Sequence, residues 1–264
     1  MIKQAIIPLA GLGTRLLPLT SVFAKELLPI NGKPGLEYII EECIEAGIKE
    51  IVFIISKKKL MIKKYFYNDK FYKDIIKKKN DPKIIKEYKK ILKYKKMIKF
   101  VFQDKPLGTG DAVYKTKKFI TDKYFLMLLP DDLIIKKNCS KSMIAVHNKF
   151  KASVMASMKV NKNDVSRWGI YNIRKKIDKN NFIINNVVEK PSIKTSPSNN
   201  AVIGRYILPK TIFSKLKSLK PGKSGEFHIT DAIQALIEDD NQFIGHNFSG
   251  KYLDCGTMKG YIKS

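Results

Sequence analysis

The chain has 264 residues, 44% of them hydrophobic, and carries 51 Lys and Arg against 24 Asp and Glu, a net charge of +27. This length and apolar content suffice for one large α/β domain or two small ones, so disorder is not the default expectation. No run of about eighteen apolar residues and no signal-peptide pattern occur, so we expect a cytoplasmic protein without a membrane partner. The cysteines (Cys43, Cys139 and Cys255) are widely spaced, which indicates neither a disulfide framework nor a zinc site.

The positive charge makes a protein that binds nucleic acid the first alternative. Only four of the 51 basic residues are arginines, and the lysines are spread along the chain instead of forming one tract. Proteins that read bases in a groove usually rely on arginine for bidentate contacts. We therefore interpret the lysines as a solvated surface and predict no nucleic-acid partner.

Strand-like and helical patterns alternate through the first half, as in sheets built from βαβ units. The predicted strands are residues 2–9, 50–55, 99–103 and 124–129. Apolar residues at helical spacing predict a helix from Leu36 that Gly47 closes, and a further helix covers 108–117. These patterns predict an α/β fold of Rossmann-like type, with a mixed, mainly parallel central sheet flanked by helices.

The second half is more mixed, and its antiparallel strands could form a smaller lobe at the edge of the same sheet. The predicted strands are residues 152–160, 169–173, 182–189 and 201–208, and the predicted helices are 210–219 and 229–239. Residues 190–200, rich in Ser, Pro and Asn, are expected to form a loop. No repeat or low-complexity linker divides the chain, so we predict a single domain over 1–264.

Residues 57–99 form a lysine- and tyrosine-rich helical region, broken near Asn80-Asp81-Pro82. Its aromatic side chains could stack on bases while its lysines neutralise phosphates. However, its apolar residues recur at three- and four-residue intervals, which favours helix faces packed on a core with lysines in water. We favour the packed helices and keep base stacking as the alternative.

A glycine-bearing loop follows the first strand, with the sequence Leu9-Ala10-Gly11-Leu12-Gly13-Thr14-Arg15. Small residues at such a position let backbone N–H groups approach a phosphate chain. The loop lacks the third glycine of the dinucleotide fingerprint and the Gly-Lys-Ser/Thr ending of a P-loop. It is followed in order by Leu17-Pro18-Leu19-Thr20, by Lys25-Glu26-Leu27-Leu28-Pro29-Ile30 and by Lys33-Pro34.

That ordered run resembles the opening signature of the sugar-phosphate nucleotidyltransferases. Further segments along nearly the whole chain resemble one branch, the bacterial UTP–glucose-1-phosphate uridylyltransferases (UDP-glucose pyrophosphorylases): 34–43, Gln103 with 107–110, 129–132, 168–169, 188–191, 204–206, 229–233 and 254–256. The resemblance implies transfer of uridylyl from UTP to glucose 1-phosphate, giving UDP-glucose and pyrophosphate. It also implies a mainly nucleotide-binding half, 1–135, and a mainly sugar-phosphate-binding half, 136–264.

The resemblance assigns the nucleotide to the first half. The implied nucleotide-binding residues are Leu9, Ala10, Gly11, Gly13, Thr14, Gln103 and Gly108. Of these, Gln103 would read the edge of uracil and Gly108 would leave room for the base. Arg15 and Lys25 are the implied catalytic residues, which would hold the phosphates. The chemistry agrees, because two anions must meet while charge builds on the departing pyrophosphate.

The resemblance also implies that Asp131 and Asp254 hold a catalytic Mg²⁺. Carboxylate oxygens are ligands that this ion prefers, typically only one or two of them with water and phosphate oxygens. The plain alternative for either residue is a turn or helix-capping aspartate. The implied sugar-phosphate-binding residues are Gly169, Glu189 and Lys190.

Three positions depart from the family pattern. Asp111 stands where members usually have histidine, Ala24 replaces a usual proline, and Trp168 replaces a usual tyrosine. A regulatory paralogue in the family lacks the Thr-Arg pair after the glycine loop, whereas Thr14 and Arg15 are present here, which favours a catalyst. The family also implies a homo-oligomer. Two alternatives stay open: a related transferase that uses dTTP or ATP, and an inactive transferase scaffold that binds nucleic acid.

Overall fold

The computed structural model describes residues 1–222 and 225–264. Its strands are β1 (Gln4–Pro8), β2 (Pro29–Ile30), β3 (Lys33–Pro34), β4 (Glu50–Ile55), β5 (Ile98–Phe102), β6 (Tyr124–Leu128), β7 (Asp132–Ile135), β8 (Ser153–Lys159), β9 (Gly169–Lys176), β10 (Asn181–Glu189), β11 (Asn200–Pro209), β12 (Phe243–Asn247) and β13 (Lys251–Asp254). Its α-helices are α1 (Gly35–Glu45), α2 (Leu60–Tyr67), α3 (Asp69–Lys79), α4 (Pro82–Met97), α5 (Gly108–Tyr114), α6 (Cys139–Phe150), α7 (Ile212–Ser218), α8 (Ile229–Glu238) and α9 (Met258–Ile262).

Nine strands form one sheet in the order β5-β4-β1-β6-β11-β8-β12-β10-β9. The pairings β5–β4, β4–β1, β1–β6 and β8–β12 are parallel, and β10 and β11 run opposite to the other seven strands. The predicted mixed sheet is therefore confirmed, with seven of its nine strands running in one direction and half of the neighbouring pairs antiparallel. Strands from the second half continue this sheet, and the β9–β10 hairpin forms its far end.

The central strands are apolar on both faces because helices cover both sides of the sheet. Successive side chains of a strand point to opposite faces, so Ile6 of β1 joins one core and Ile7 joins the other. The core containing Ile7 includes side chains of α1, α2, α4 and α6, and the core containing Ile6 includes those of α5, α7 and α8. Among the described helices, none is both long and apolar enough to cross a membrane.

A buried ion pair fixes α1 to the centre of the sheet. The fully buried guanidinium of Arg205 in β11 donates to both carboxylate oxygens of Glu42, with Nη2 2.9 Å from Oε2. Its Nη1 also donates to the carbonyl oxygens of Leu129 and Gly204, at 3.1 and 2.9 Å. The arginine therefore holds the chain directly before Asp131 in place.

A small two-stranded sheet connects the end of the chain to this region. Strands β7 and β13 pair antiparallel, with Asp132 opposite Asp254. Since β7 begins directly after Asp131, this pairing brings the residues after β6 next to those at the end of β13. Two carboxylates far apart in sequence are thus placed at one edge of the main sheet.

The lysine-rich region forms α2, α3 and α4. The predicted break near residues 80–82 is present, where Asn80 has a positive φ of 44° and the Asp81 side chain caps α4. An additional break occurs at Asn68. Phe66 and Tyr94 are buried, which confirms the packed helix faces for these two rings, and Tyr94 also donates to Glu41 at 3.1 Å.

Several of the described elements were not predicted, among them α6, β12 and β13. Helix α6 begins at an N-cap, where the Asn138 side chain accepts from the Lys141 N–H, and its buried Met143 and Val146 have helical spacing. Strands β12 and β13 have five and four residues, too few for alternation to separate a strand from a loop. Both form here because β12 pairs with β8 and β13 with β7.

Candidate active site

The glycine loop after β1 lines a cavity of about 510 Å³. Among the described residues, no hydrogen-bond acceptor meets the backbone N–H groups of Ala10, Gly11, Leu12 and Gly13. A side chain at Gly11 would meet nothing within 4 Å, so the loop faces open space there. Successive free N–H groups of this kind suit an anion.

The loop holds its shape through Gly13. This residue has a φ of 70°, and its carbonyl oxygen accepts from the Thr20 hydroxyl at 2.8 Å. A Cβ at Gly13 would lie only 3.0 Å from Thr20 Cγ2, so a larger residue would be both strained and crowded. Thr14 starts the short 3₁₀ turn that carries Arg15, and both line the cavity.

Two cations and one carboxylate meet on the wall of this cavity. Lys25 Nζ lies 2.7 Å from Asp131 Oδ2, and Arg15 Nη2 lies 3.9 Å from the same oxygen. The Arg15 side chain is 71% exposed, whereas that of Lys25 is 13% exposed. Lys25 is therefore held in one place, while the Arg15 guanidinium is open to a ligand in the cavity.

The electrostatics keep both members of the Lys25–Asp131 pair charged. Burial alone would raise the pKa of Asp131, but the nearby Lys25 ammonium and its hydrogen bond outweigh burial and lower that pKa. Burial alone would lower the pKa of Lys25, but the charges of Asp131 and Glu26 outweigh it and raise that pKa. Around neutral pH the pair is consequently ionised.

Asp131 and Asp254, the two predicted metal ligands, both lie beside Gly256. A Cβ built on Gly256 would lie 2.9 Å from Asp131 Oδ2 and 3.4 Å from Asp254 Oδ1. The two oxygens are therefore close enough to share one ion directly or through a water molecule. Asp254 also accepts from the Gly256 N–H and the Thr257 hydroxyl, both at 3.0 Å, which fixes its orientation.

The neighbouring Asp132 has a different environment. Its Oδ2 accepts from the Gly204 N–H at 2.8 Å, and its Oδ1 accepts from the Tyr252 hydroxyl at 2.5 Å. Burial, together with the charge of Asp131, raises the pKa of Asp132. Its side chain thus joins β11 to β13, whereas Asp131 faces the cavity.

Gln103 and Gly108 also line this cavity. Gly108 has a φ of 93°, and a Cβ there would lie 2.5 Å from the Phe227 carbonyl oxygen. The backbone alone therefore requires glycine at this position. Gln103 is almost fully buried, and its Nε2 donates to the Gly108 carbonyl at 3.0 Å and to Asp111 Oδ2 at 2.8 Å.

A second cavity of about 640 Å³ adjoins the first, because Thr109, Leu129 and His228 line both. Glu189 lies in this second cavity. Gly169 lies opposite Glu189 in the β9–β10 hairpin, where a Cβ would come 3.0 Å from Glu189 Oε2. The glycine therefore leaves space beside this carboxylate.

Not every predicted site residue reaches a cavity with its side chain. Leu9 is fully buried in the core, and its N–H is used by the Ile54 carbonyl at 2.7 Å. Lys190 lines neither cavity, and its Nζ lies 3.9 Å from Glu189 Oε1. Any role of Leu9 in binding must use its carbonyl or its shape, and Lys190 must reorient to reach the second cavity.

Thr109 and His228 were not among the predicted site residues, although both line the boundary between the cavities. The Thr109 hydroxyl accepts from the Ile229 N–H at 3.3 Å and so joins α5 to the start of α8. His228 is recognisable from the sequence as the N-cap of a predicted helix, but the contact between Thr109 and Ile229 joins residues 120 positions apart, which sequence spacing does not indicate.

All three family departures have visible contacts. The Ala24 N–H donates to Met61 Sδ at 3.1 Å, a contact that proline could not make. The Trp168 ring packs edge-on against Tyr252, with centroids 5.6 Å apart, and the Trp168 carbonyl accepts from the Lys190 N–H at 2.9 Å. The third departure, Asp111, touches Gln103 as described above.

The model of the nucleotidyl transferase family matches residues 4–264. The chain belongs to this family. A UTP–glucose-1-phosphate uridylyltransferase of Staphylococcus saprophyticus is 36% identical over 264 residues, which cover 100% of the chain and 90% of that protein. This identity over the full chain confirms the predicted resemblance to the uridylyltransferase branch.

Solved structures of the nucleotidyl transferase family superpose on the whole chain. A UDP-glucose pyrophosphorylase complexed with UDP-glucose has a TM-score of 0.86 and 34% identity, covering 100% of this chain and 97% of that chain. A UTP-bound enzyme from Acinetobacter baumannii has a TM-score of 0.89 and 31% identity, covering 100% and 92%. The predicted fold class is thus confirmed by these structures as well.

Proposed function

We propose that this protein transfers a uridylyl group from UTP to glucose 1-phosphate, giving UDP-glucose and pyrophosphate. The observation that carries the proposal is the pair of adjoining cavities, with Asp131 and the glycine loop in one and Glu189 in the other. A reaction that joins two phosphorylated substrates needs two such compartments side by side. Full-length relatives of 36% identity that carry this activity in their names support the same conclusion.

The first cavity supplies the groups that a nucleoside triphosphate requires. The free N–H groups of residues 10–13 would donate to its phosphate oxygens, and the exposed Arg15 guanidinium would make a bidentate contact with them. Lys25 would stabilise the charge that develops on departing pyrophosphate. Leu9, Ala10, Gly11 and Gly108 would bound the uracil, whose edge Gln103 would contact.

A divalent metal fits the pair of carboxylates beside Gly256, of which Asp131 lines the first cavity and Asp254 lines a separate one, and we propose Mg²⁺. Asp131 and Asp254 offer hard oxygen ligands around one point, beside Gly256. Within the described part of the chain, no group of three or more His, Cys, Asp or Glu could form a closed protein cage. The remaining ligands would be water and phosphate oxygens. When bound, the ion would neutralise phosphate charge during the displacement.

The second cavity suits the sugar phosphate. Glu189 would accept hydrogen bonds from glucose hydroxyls, and the Gly169 N–H would donate to one of them. Lys190, which follows Glu189 at a positive φ of 45°, would bind the phosphate once its side chain turns from Glu189. A phosphate oxygen of this substrate then attacks the α-phosphorus of UTP, and the bond from that phosphorus to the bridging oxygen breaks.

Direct displacement requires no nucleophilic side chain from the protein, and the cysteines are consistent with this. Cys43 and Cys139 are fully buried, and Cys255 is 8% exposed. Burial is the main cause that raises the pKa of the Cys255 thiol to about 11, so at neutral pH it is not a thiolate. The proposed reaction proceeds without a covalent enzyme intermediate.

The decisive experiment mixes purified protein with UTP, glucose 1-phosphate and Mg²⁺ and follows the release of pyrophosphate. UDP-glucose should form in equal amounts, and adding a chelator should stop the reaction. Absence of turnover above the chelated control would overturn the proposal. Parallel assays with dTTP and ATP test the related transferases. A clear preference for either nucleotide over UTP would mean that a thymidylyl or adenylyl group is transferred instead of uridylyl.

The lysine excess is tested separately. Retention of duplex and single-stranded nucleic acid should be weak at near-physiological salt, since we predict no nucleic-acid partner. Tight retention that falls steeply with salt, without pyrophosphate release, would favour the inactive-scaffold alternative. Light scattering tests the expected homo-oligomer, and a monomer would contradict that expectation.

A further inference from the structure

The side-chain amide of Gln103 can have only one orientation. The two groups that meet its Nε2 are the Gly108 carbonyl oxygen at 3.0 Å and Asp111 Oδ2 at 2.8 Å. Both are acceptors that have no proton to donate, because an ionised carboxylate and a carbonyl only accept. Turning the amide over would place its oxygen against two other oxygens.

As a result, Oε1 is the one polar side-chain atom of Gln103 that has no partner among the described residues. Nε2 carries two protons, and both are used by the protein, while no described residue donates to Oε1. Gln103 lines the first cavity, so this oxygen remains as the acceptor that a ligand can meet. Asp111 itself is held from the other side by Lys115, whose Nζ lies 3.5 Å from Oδ1.

Resting on the function proposed above, we propose that Asp111 is a positioning residue that makes Gln103 select a base carrying a ring N–H. Uracil and thymine carry such a proton at N3. Cytosine has an unprotonated nitrogen there, and its lone pair would face the lone pairs of Oε1. The departure from the usual histidine therefore keeps an acceptor beside Gln103 without depending on the protonation state of an imidazole.

The test compares UTP with CTP, because their bases differ at the edge in question. In wild type, kcat/KM should favour UTP. Asp111→Ala removes one of the two acceptors, so the UTP to CTP ratio should fall by about tenfold, the size expected for one hydrogen bond to a charged group. The change should lie mainly in KM, since the base is remote from the reacting atoms. The preference for UTP over CTP in dissociation constants, measured by calorimetry without sugar phosphate, should fall by a similar factor.

Two matched variants separate positioning from packing. Asp111→Asn keeps an oxygen that can accept from Nε2 and should retain the ratio within about threefold. Lys115→Ala removes the outer ion pair but leaves both acceptors in place, and it should retain the ratio as well. Thermal unfolding checks that each variant is folded, and Asp111→Leu, which also lacks an acceptor, replaces Asp111→Ala if the latter is unstable.

An equal loss of kcat/KM for UTP and CTP in the folded Asp111→Ala or Asp111→Leu variant would overturn the proposal, as would equal affinity of wild type for both nucleotides. If wild type releases no pyrophosphate but binds UTP selectively, and this selectivity falls in the variant, positioning by Asp111 stands and the proposed transfer fails. If neither nucleotide binds, both proposals fail.

Discussion

Lys25 Nζ and Asp131 Oδ2 lie 2.7 Å apart although 106 positions separate the two residues in the chain. Each therefore neutralises the other before any substrate is present. A phosphate that takes the Lys25 ammonium would free Asp131 Oδ2 for a cation, so binding of the nucleotide and of the metal should support each other. This coupling follows from the shared oxygen, which Arg15 also approaches.

Replacing either predicted metal ligand should lower turnover and leave folding intact. Asp131→Asn and Asp254→Asn keep the shape of the side chain but remove one charge. We expect about a hundredfold loss in pyrophosphate release at limiting Mg²⁺, which corresponds to about 2.7 kcal/mol of transition-state stabilisation. Near wild-type turnover would instead show that the carboxylate serves only the turn.

Asp132→Asn is the matched control, because Asp132 lies beside Asp131 and its carboxylate already has protein partners, Gly204 and Tyr252. We expect it to lower the melting temperature through its contacts with Gly204 and Tyr252, while turnover stays within several-fold of wild type. A hundredfold loss of turnover in Asp132→Asn with unchanged stability would contradict the assignment of Asp131 over Asp132.

Arg15 should matter for activity and hardly for stability. Its side chain is 71% exposed and approaches only Asp131, at 3.9 Å, so Arg15→Ala should leave the melting temperature almost unchanged. Loss of a bidentate phosphate contact should reduce kcat/KM for UTP by about a hundredfold, or roughly 2.7 kcal/mol. Arg174→Ala, an exposed arginine on β9, is the control and should leave steady-state kinetics unchanged.

For the buried pair between Arg205 and Glu42 we predict the opposite of Arg15, namely a large effect on stability. Glu42→Gln leaves the guanidinium without a counter-charge, and we expect a loss of about 3–5 kcal/mol in the free energy of unfolding, measured by urea titration. Lys99→Ala, which breaks the half-exposed pair with Glu50, should cost no more than about 1 kcal/mol. Equal losses in both would contradict the role of burial.

Stability should fall as the pH drops below about 6.5, the ordinary pKa of histidine. Burial lowers the pKa of His147 and of His246, so the unfolded chain binds more protons than the folded one between the folded pKa and 6.5. Because stability rises with pH where the unfolded state binds more protons, the free energy of unfolding should decrease through this window and level off below the folded pKa.

Urea titrations at several pH values between 5 and 8 check this prediction. His246→Gln removes one titrating group but can still hydrogen-bond Ser142, and it should reduce the slope of stability against pH. The buried Asp131, whose pKa is lowered, loses its contribution only in strong acid and so does not affect this window. A flat profile from pH 8 to pH 5 would contradict the prediction.

The sequence was sufficient for elements with strong local signals. Strand β4 was predicted at its observed bounds, and the strand containing Ile6 and Ile7 was displaced only at its ends, because long apolar runs mark buried strands. Helix α6 could have been found from its Asn138 cap, whereas β12 and β13 depend on pairing with β8 and β7. Such pairing is invisible in a short window.

The sequence predicted some of the residues that the structure brings together in the candidate site, but not their contacts. The order of the motifs along the chain predicted that Arg15, Lys25 and Asp131 share one site, since strand ends in an α/β sheet meet at one edge. The contact of Gln103 with Asp111 and the collision that requires Gly108 depend on side-chain orientation and on the Phe227 backbone. Those details arise from tertiary packing, for which sequence spacing carries no signal.

The position of β11 at the centre of the sheet has a consequence for synthesis of the chain. Strand β6 pairs with β1 on one side and with β11 on the other, and β11 begins only at Asn200. While the ribosome is still adding residues 136–199, β6 presents an unpaired edge that could join another nascent chain. The lysines distributed along those chains would repel one another and so delay edge-to-edge association until β11 emerges and closes the gap.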